Sequence, residues 1–138
     1  MKADKSMLFK VYLMKIEIQR DVFESCLEGA KQSFPAEFLG LLAGITKTDF
    51  VLADRLYLAP LSYSDQGSVI FDEYNMPIAM GIVGTFHSHP SGPALPSHAD
   101  LKLFSQKGSC HLIASYPFKR ADVRCFDSKG KELPFVLV

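Results

Sequence analysis

The stretch Gly81-Ile82-Val83-Gly84-Thr85-Phe86-His87-Ser88-His89-Pro90 decides how this chain is read. Its apolar run predicts a buried strand, and side chains two apart on a strand share a face. His87 and His89 therefore project side by side at the strand's end. Pro90 has no N–H to give to a ladder and stops the strand. The next residues, Ser91-Gly92-Pro93-Ala94-Leu95-Pro96, read as a loop. That loop delivers Ser97-His98-Ala99-Asp100 to a predicted helix start. Ser97 can accept from free N–H groups of the first turn, and Asp100 complements the positive end of the helix dipole. Two imidazoles and a carboxylate also suit a catalytic zinc that keeps its fourth position open for water. Taken alone, His-x-His is more often a polar strand end than a metal site. Ser97-x-x-Asp100 is a helix start whether or not a metal is present. The two readings of Asp100 are compatible, since a first-turn carboxylate can cap and ligate at once.

The spacing carries a resemblance. His87-x-His89-Pro90 is followed by ten residues between His89 and Asp100, with Ser97 three before that Asp. Upstream, Glu37 stands in Pro35-Ala36-Glu37-Phe38-Leu39-Gly40-Leu41-Leu42-Ala43-Gly44. Together these resemble the JAMM (MPN-domain) metalloprotease family, from about Met14 to the C-terminus. The resemblance implies one zinc per chain, with His87, His89 and Asp100 as its ligands. It gives Glu37 the role of general base, reaching the water and not the metal, and Ser97 that of oxyanion stabiliser. The fold it implies is α/β: a single domain with a curved, mostly antiparallel mixed sheet flanked by helices, related to the cytidine deaminases.

The implied reaction is hydrolysis of isopeptide or peptide bonds at the C-terminal tails of ubiquitin-like or sulfur-carrier modifier proteins. Family forms acting on polyubiquitin carry insertions around the core. Few residues here link the motif helix to the next strand, so a compact prokaryotic-type member is expected. Two rival readings come from other classes. A non-catalytic MPN-type scaffold is opposed by the intact set of Glu37, His87, His89, Ser97 and Asp100. A zinc nucleobase deaminase needs His-x-Glu and Pro-Cys-x-x-Cys, and the sequence has neither.

Composition bounds the rest. A chain of 138 residues is expected to form one domain over 1–138, with a loose stretch at 1–6. Its formal net charge is zero, which argues against a nucleic-acid binder driven by a global positive field. No apolar run approaches the roughly 18–20 residues of a membrane span. The apolar N-terminal stretch is broken by Lys10 and Lys15 and lacks a small-residue cleavage site, so no secretory signal is expected. Cys26, Cys110 and Cys125 have no CxxC spacing, and their odd number points to a reducing compartment, the cytoplasm. Cys110 and Cys125 fall on neighbouring predicted strands and could meet, but buried free thiols are the preferred reading.

Along the chain, Met14 to Ile18 alternates as a half-buried strand, which Leu8 to Leu13 either extends or accompanies. Asp21 to Ser33 reads as a helix with the stripe Val22, Phe23, Cys26, Leu27 and Ala30. Asp21-x-x-Glu24 reads as its capping box. Glu37 to Ile45 reads as a strand buried on both faces. By itself, Glu37 at the head of that run would be an exposed edge residue or the partner of a Lys or Arg. A turn at Lys47-Thr48-Asp49 leads to a strand from Phe50 to Leu58. Pro60 to Ser68 is read as a loop, and Asn75-Met76-Pro77 as a short helix. The helix from Ser97 runs to about Lys107 and ends at Gly108. Ser109 to Tyr116, Ala121 to Asp127 and Leu133 to Val138 follow as strands. His98 is read as a first-turn surface residue and His111 as a core or edge histidine. Phe86 and Phe104 are assigned to packing.

Overall fold

The computed structural model describes residues 14–58, 61–63, 69–71 and 81–138. The expectations for the first thirteen residues and for a helix near Asn75 lie outside these. The chain opens with β1 (Lys15–Ile18), where Ile16 and Ile18 are buried and Lys15 and Glu17 are not. Helix α1 (Arg20–Ser33) buries Val22, Phe23, Cys26, Leu27 and Ala30, the expected stripe. Its N-cap is Gln19, with no side-chain cap, so the Asp21-x-x-Glu24 capping box does not form. The helix starts earlier because the Gln19 N–H is already taken by the Ala53 carbonyl across the sheet. Strand β2 (Leu39–Thr46) is buried on both faces from Leu39 to Ala43. It turns at 47–49 into β3 (Phe50–Tyr57). Strands β4 (Leu61–Tyr63) and β5 (Val69–Phe71) form a separate antiparallel pair.

Strand β6 (Ile82–His89) carries both histidines. Helix α2 (His98–Phe104) follows, two turns long and shorter than the sequence suggested. It crosses to β7 (Cys110–Ser115), which pairs parallel to β6. A 3-10 turn (Arg120–Asp122) precedes β8 (Val123–Phe126). The expected last strand is divided into β9 (Glu132–Leu133) and β10 (Val136–Leu137).

The eight-stranded sheet has the order β10-β1-β3-β2-β6-β7-β8-β9. Four of its seven pairings are antiparallel: β2 with β3, β2 with β6, β7 with β8 and β8 with β9. β9 and β10 lie at opposite edges, yet only Pro134 and Phe135 separate them. The three residue steps from Leu133 to Val136 span about 11 Å at most, so the sheet must curl until its edges approach. Both helices use this curvature. α1 packs on one face, in a core that includes Ile18, Leu42, Phe86, Leu112 and Cys125. α2 packs on the other, where Phe104 joins Ala94, Ile113 and Phe126. Side chains alternate along β6, so Phe86 and Ser88 belong to the α1 face while Thr85, His87 and His89 belong to the α2 face. The β6–α2–β7 crossover puts the α2 N-terminus at the carboxyl ends of two parallel strands, where α/β sheets leave a crevice.

Candidate metal centre

Asp100 draws the two histidines together. Its Oδ1 lies 3.0 Å from His87 Nδ1 and its Oδ2 lies 3.3 Å from His89 Nε2. The three residues form a group whose donor atoms all lie within 4.8 Å of one another. Ligand atoms bound to a tetrahedral zinc at about 2.0–2.1 Å are roughly 3.3 Å apart, so the spacing fits such an ion. A second observation concerns the other nitrogen of the His87 ring. His87 Nε2 is buried with no hydrogen-bond partner among the described residues, a costly state for a polar atom unless something else binds there.

Each side chain is held by local structure. Ser97 caps α2, its Oγ accepting from the Asp100 N–H at 3.1 Å, while Asp100 Oδ2 accepts from the Ser97 N–H at 2.9 Å. This capping box is the one the sequence predicts. It aims Asp100 inward, and the carboxylate is buried. His89 Nδ1–H donates to the Pro93 carbonyl at 3.0 Å, which turns Nε2 to Asp100: protonated, Nε2 donates to the carboxylate, and in the neutral ring it offers a lone pair to a metal. The loop of prolines thus fixes the tautomer of His89.

The charges are set by the same contacts. Burial pushes the Asp100 pKa up. The hydrogen bonds from His87 and His89 and from the Ser97 N–H outweigh it and hold the carboxyl far below the usual carboxylate range. The Asp100 hydrogen bond raises the pKa of His89, against the opposing effect of burial.

Glu37 precedes β2 by two residues instead of heading it. Its carboxylate is about half exposed, and Oε1 lies 4.0 Å from His89 Nε2. Ser88 places it there. The Ser88 N–H donates to the Phe38 carbonyl at 2.9 Å, and its buried Oγ accepts from the Phe38 N–H at 2.7 Å. Sequence reasoning passed over Ser88, although a hydroxyl facing away from two histidines on a buried strand must find a partner on the far face. Pro35, Glu37, His89, Pro90, Ser91 and Ser97 line one open cleft of about 440 Å³.

His98 is exposed, as expected of a surface residue in a first turn. His111 is fully buried on β7 and lies outside the group of His87, His89 and Asp100. The three cysteines are free and buried in one core cluster. Burial pushes the Cys26 thiol up to about 12.

Residues 19–129 match the family of prokaryotic homologs of the JAB domain, and the chain belongs to that family. It is 32% identical over 123 residues to a probable metalloprotease of Haloferax volcanii, covering 84% of this chain and 75% of the relative. A deubiquitinase of Camponotus floridanus is 31% identical over 106 residues, which are 65% of this chain and 41% of that protein. Among solved structures, a JAB1/MPN domain protein from Archaeoglobus fulgidus superposes with a TM-score of 0.67 at 34% identity, covering 91% of this chain and 99% of that one. A structure described as a JAMM metalloprotease-like zinc site in the proteasome and signalosome has the same TM-score and identity, with 91% and 98% covered. These neighbours share the curled mixed sheet and its two helices. Among the described residues no helix is long and apolar enough to cross a membrane.

Proposed function

We propose that this chain is a zinc metallohydrolase that cleaves isopeptide or peptide bonds at the C-terminal tails of ubiquitin-like or sulfur-carrier proteins. One observation carries the reading: Asp100 faces both imidazoles, and a free carboxylate, Glu37, stands 4.0 Å from His89. His87, His89 and Asp100 hold one zinc per chain. Zinc in that position supplies a Lewis acid that polarises the scissile carbonyl and makes water nucleophilic near neutral pH. The names of the relatives, a metalloprotease and a deubiquitinase, support the same chemistry.

The chain's own residues do the rest. Glu37, on the cleft wall, takes the proton of the attacking water and hands it to the leaving amine. Ser97 Oγ uses a lone pair for the Asp100 N–H, so its own proton remains to donate to the developing oxyanion. The lining of prolines and serines admits an extended tail of small residues. Three unpaired cysteines suit a reducing, cytoplasmic setting.

The test combines metal analysis with turnover. Purified protein supplied with zinc should hold one ion per chain, lost on chelation and in His89→Ala. It should release a small modifier from an isopeptide-linked lysine. Changing the last Gly of the modifier tail to Val should lower kcat/KM about tenfold or more, which is roughly 1.4 kcal/mol. Absence of metal after zinc is supplied would sink the proposal, and equal rates on the two tails would sink its specificity.

A further inference from the structure

His111 is a buried polar residue for which the chemistry above has no use. It stands opposite Thr85 in the β6–β7 register, and Thr85 lies two residues before His87 on the same face. Its Nε2–H donates to the Gly108 carbonyl at 2.9 Å. A carbonyl can only accept, so Nδ1 of the neutral ring is the acceptor for the Thr85 hydroxyl, 2.8 Å away. Burial lowers the pKa of this histidine to about 4, consistent with a neutral ring at ordinary pH. The Gly108 anchor is itself packed closely against β6. Gly108 has φ +101, and a Cβ there would meet the Val83 carbonyl oxygen at 2.3 Å. Its neighbour Ser109 donates its N–H to that same carbonyl at 3.0 Å.

A ring pinned at both nitrogens cannot turn about its side-chain axis. Phe104 lies flat on it, with centroids 4.1 Å apart and planes 10° from parallel. Phe104 also touches the His87 ring, at 5.8 Å. On α2, Phe104 is one turn after Asp100, on the same side of the helix, and both are buried. The height at which Phe104 rests therefore sets the height of Asp100. The seven-residue helix is otherwise held by its Ser97–Asp100 cap and by Leu101, which packs against the same cluster as Phe104. An apolar residue of the same size would fill the space but would leave the Thr85 hydroxyl and the Gly108 carbonyl unpaired, freeing the platform to tilt.

We propose that His111 is a positioning residue for the metal centre: clamped between Thr85 and Gly108, its ring seats Phe104 and so holds Asp100 against His87 and His89. The inference rests on the reading of those three residues as zinc ligands. It predicts that metal affinity depends on a side chain outside the ligand group.

The experiment measures zinc affinity by competition with a chromogenic chelator, and the visible absorption of the cobalt-substituted protein. Thermal melts in excess chelator check folding without the metal. His111→Phe keeps the stack and loses both hydrogen bonds. Thr85→Val keeps the ring and its bond to Gly108 but removes the bond at Nδ1, and Thr85→Ser restores the hydroxyl. Loss of a group that hydrogen-bonds and orients a metal ligand weakens binding by about 10–100-fold, and the range sets the scale for a residue that acts on Asp100 through Phe104. His111→Phe is expected within that range, Thr85→Val near its lower end, and Thr85→Ser within about twofold of the parent, with shifted cobalt bands in the first two alone. Should His111→Phe fail to fold, the two Thr85 variants carry the test. Folded Thr85→Val with parental affinity and an unchanged cobalt spectrum would show that His111 only fills the core. A parent protein that binds no metal would overturn the reading of the site, and this inference with it. A parent that binds, beside variants that bind equally well, would overturn the inference alone.

Discussion

Acidifying the metal-free protein measures the burial of His111 directly. Burial drives its pKa from 6.5 down to about 4; the Gly108 carbonyl works against this and nearby His87 adds to it. In the unfolded chain the ring is solvated and takes up a proton near its ordinary value. Above about pH 6.5 neither state protonates the ring, and this group adds no pH dependence. Between about pH 6.5 and 4 the unfolded chain binds a proton that the folded chain refuses, so stability falls as the pH falls. Below about pH 4 both states are protonated and the dependence ends. At about 1.4 kcal/mol for each tenfold change in proton affinity, the full loss is about 3 kcal/mol. For a chain of this size that is on the order of 10 °C in Tm.

Other groups titrate in the same range. His89, raised by Asp100, acts with the opposite sign: its contribution is present at low pH and fades as the pH rises through its folded value. A comparison between parent and variant removes it. His111→Phe carries no proton at this position in either state. Urea denaturation in excess chelator, from pH 7.5 to pH 4, should show the parent's advantage over His111→Phe shrinking by about 3 kcal/mol. An advantage that stays constant across that range would mean that the ring protonates as easily inside as outside, and the argument from burial would be wrong.

Three further outcomes follow from the geometry. Glu37→Gln should abolish hydrolysis and leave zinc content unchanged, because the amide has the shape of the acid and cannot shuttle a proton; loss of zinc would make Glu37 a ligand. Ser97→Ala should lower kcat by about 10²–10³-fold through the lost oxyanion donor, and stability by about 1 kcal/mol through the lost cap. A stability loss with an unchanged rate would leave Ser97 as a cap alone. Gly84→Ala should cost at least about 3 kcal/mol, since its Cβ would sit 1.5 Å from the Cys110 carbonyl oxygen, where β6 meets β7. A melting temperature close to the parent's would contradict that contact.

What the sequence determined by itself is what short-range periodicity and cap chemistry can encode. The stripe of α1 follows from the 3.6-residue period, and the double burial of β2 from an unbroken apolar run. The shared face of His87 and His89 follows from the strand period of two, and the inward aim of Asp100 from a Ser-x-x-Asp cap closed within four residues. The tertiary structure decided whatever depends on partners distant in the chain. Gln19 became the α1 cap because its N–H is spent on Ala53 of β3. Glu37 stands beside His89 because Ser88, fifty residues beyond Phe38, grips the backbone of Phe38 twice. Leu133 to Val138 was divided between β9 and β10 because a curled sheet brings its two edges within reach of Pro134 and Phe135. His111 could be read from sequence only as a histidine on an apolar strand. Its clamp exists because the parallel β6–β7 register sets Thr85 opposite it and the crossover drops Phe104 on its ring. Such pairings are long-range contacts whose loop-closure entropy is offset by the whole fold, so no local pattern announces them.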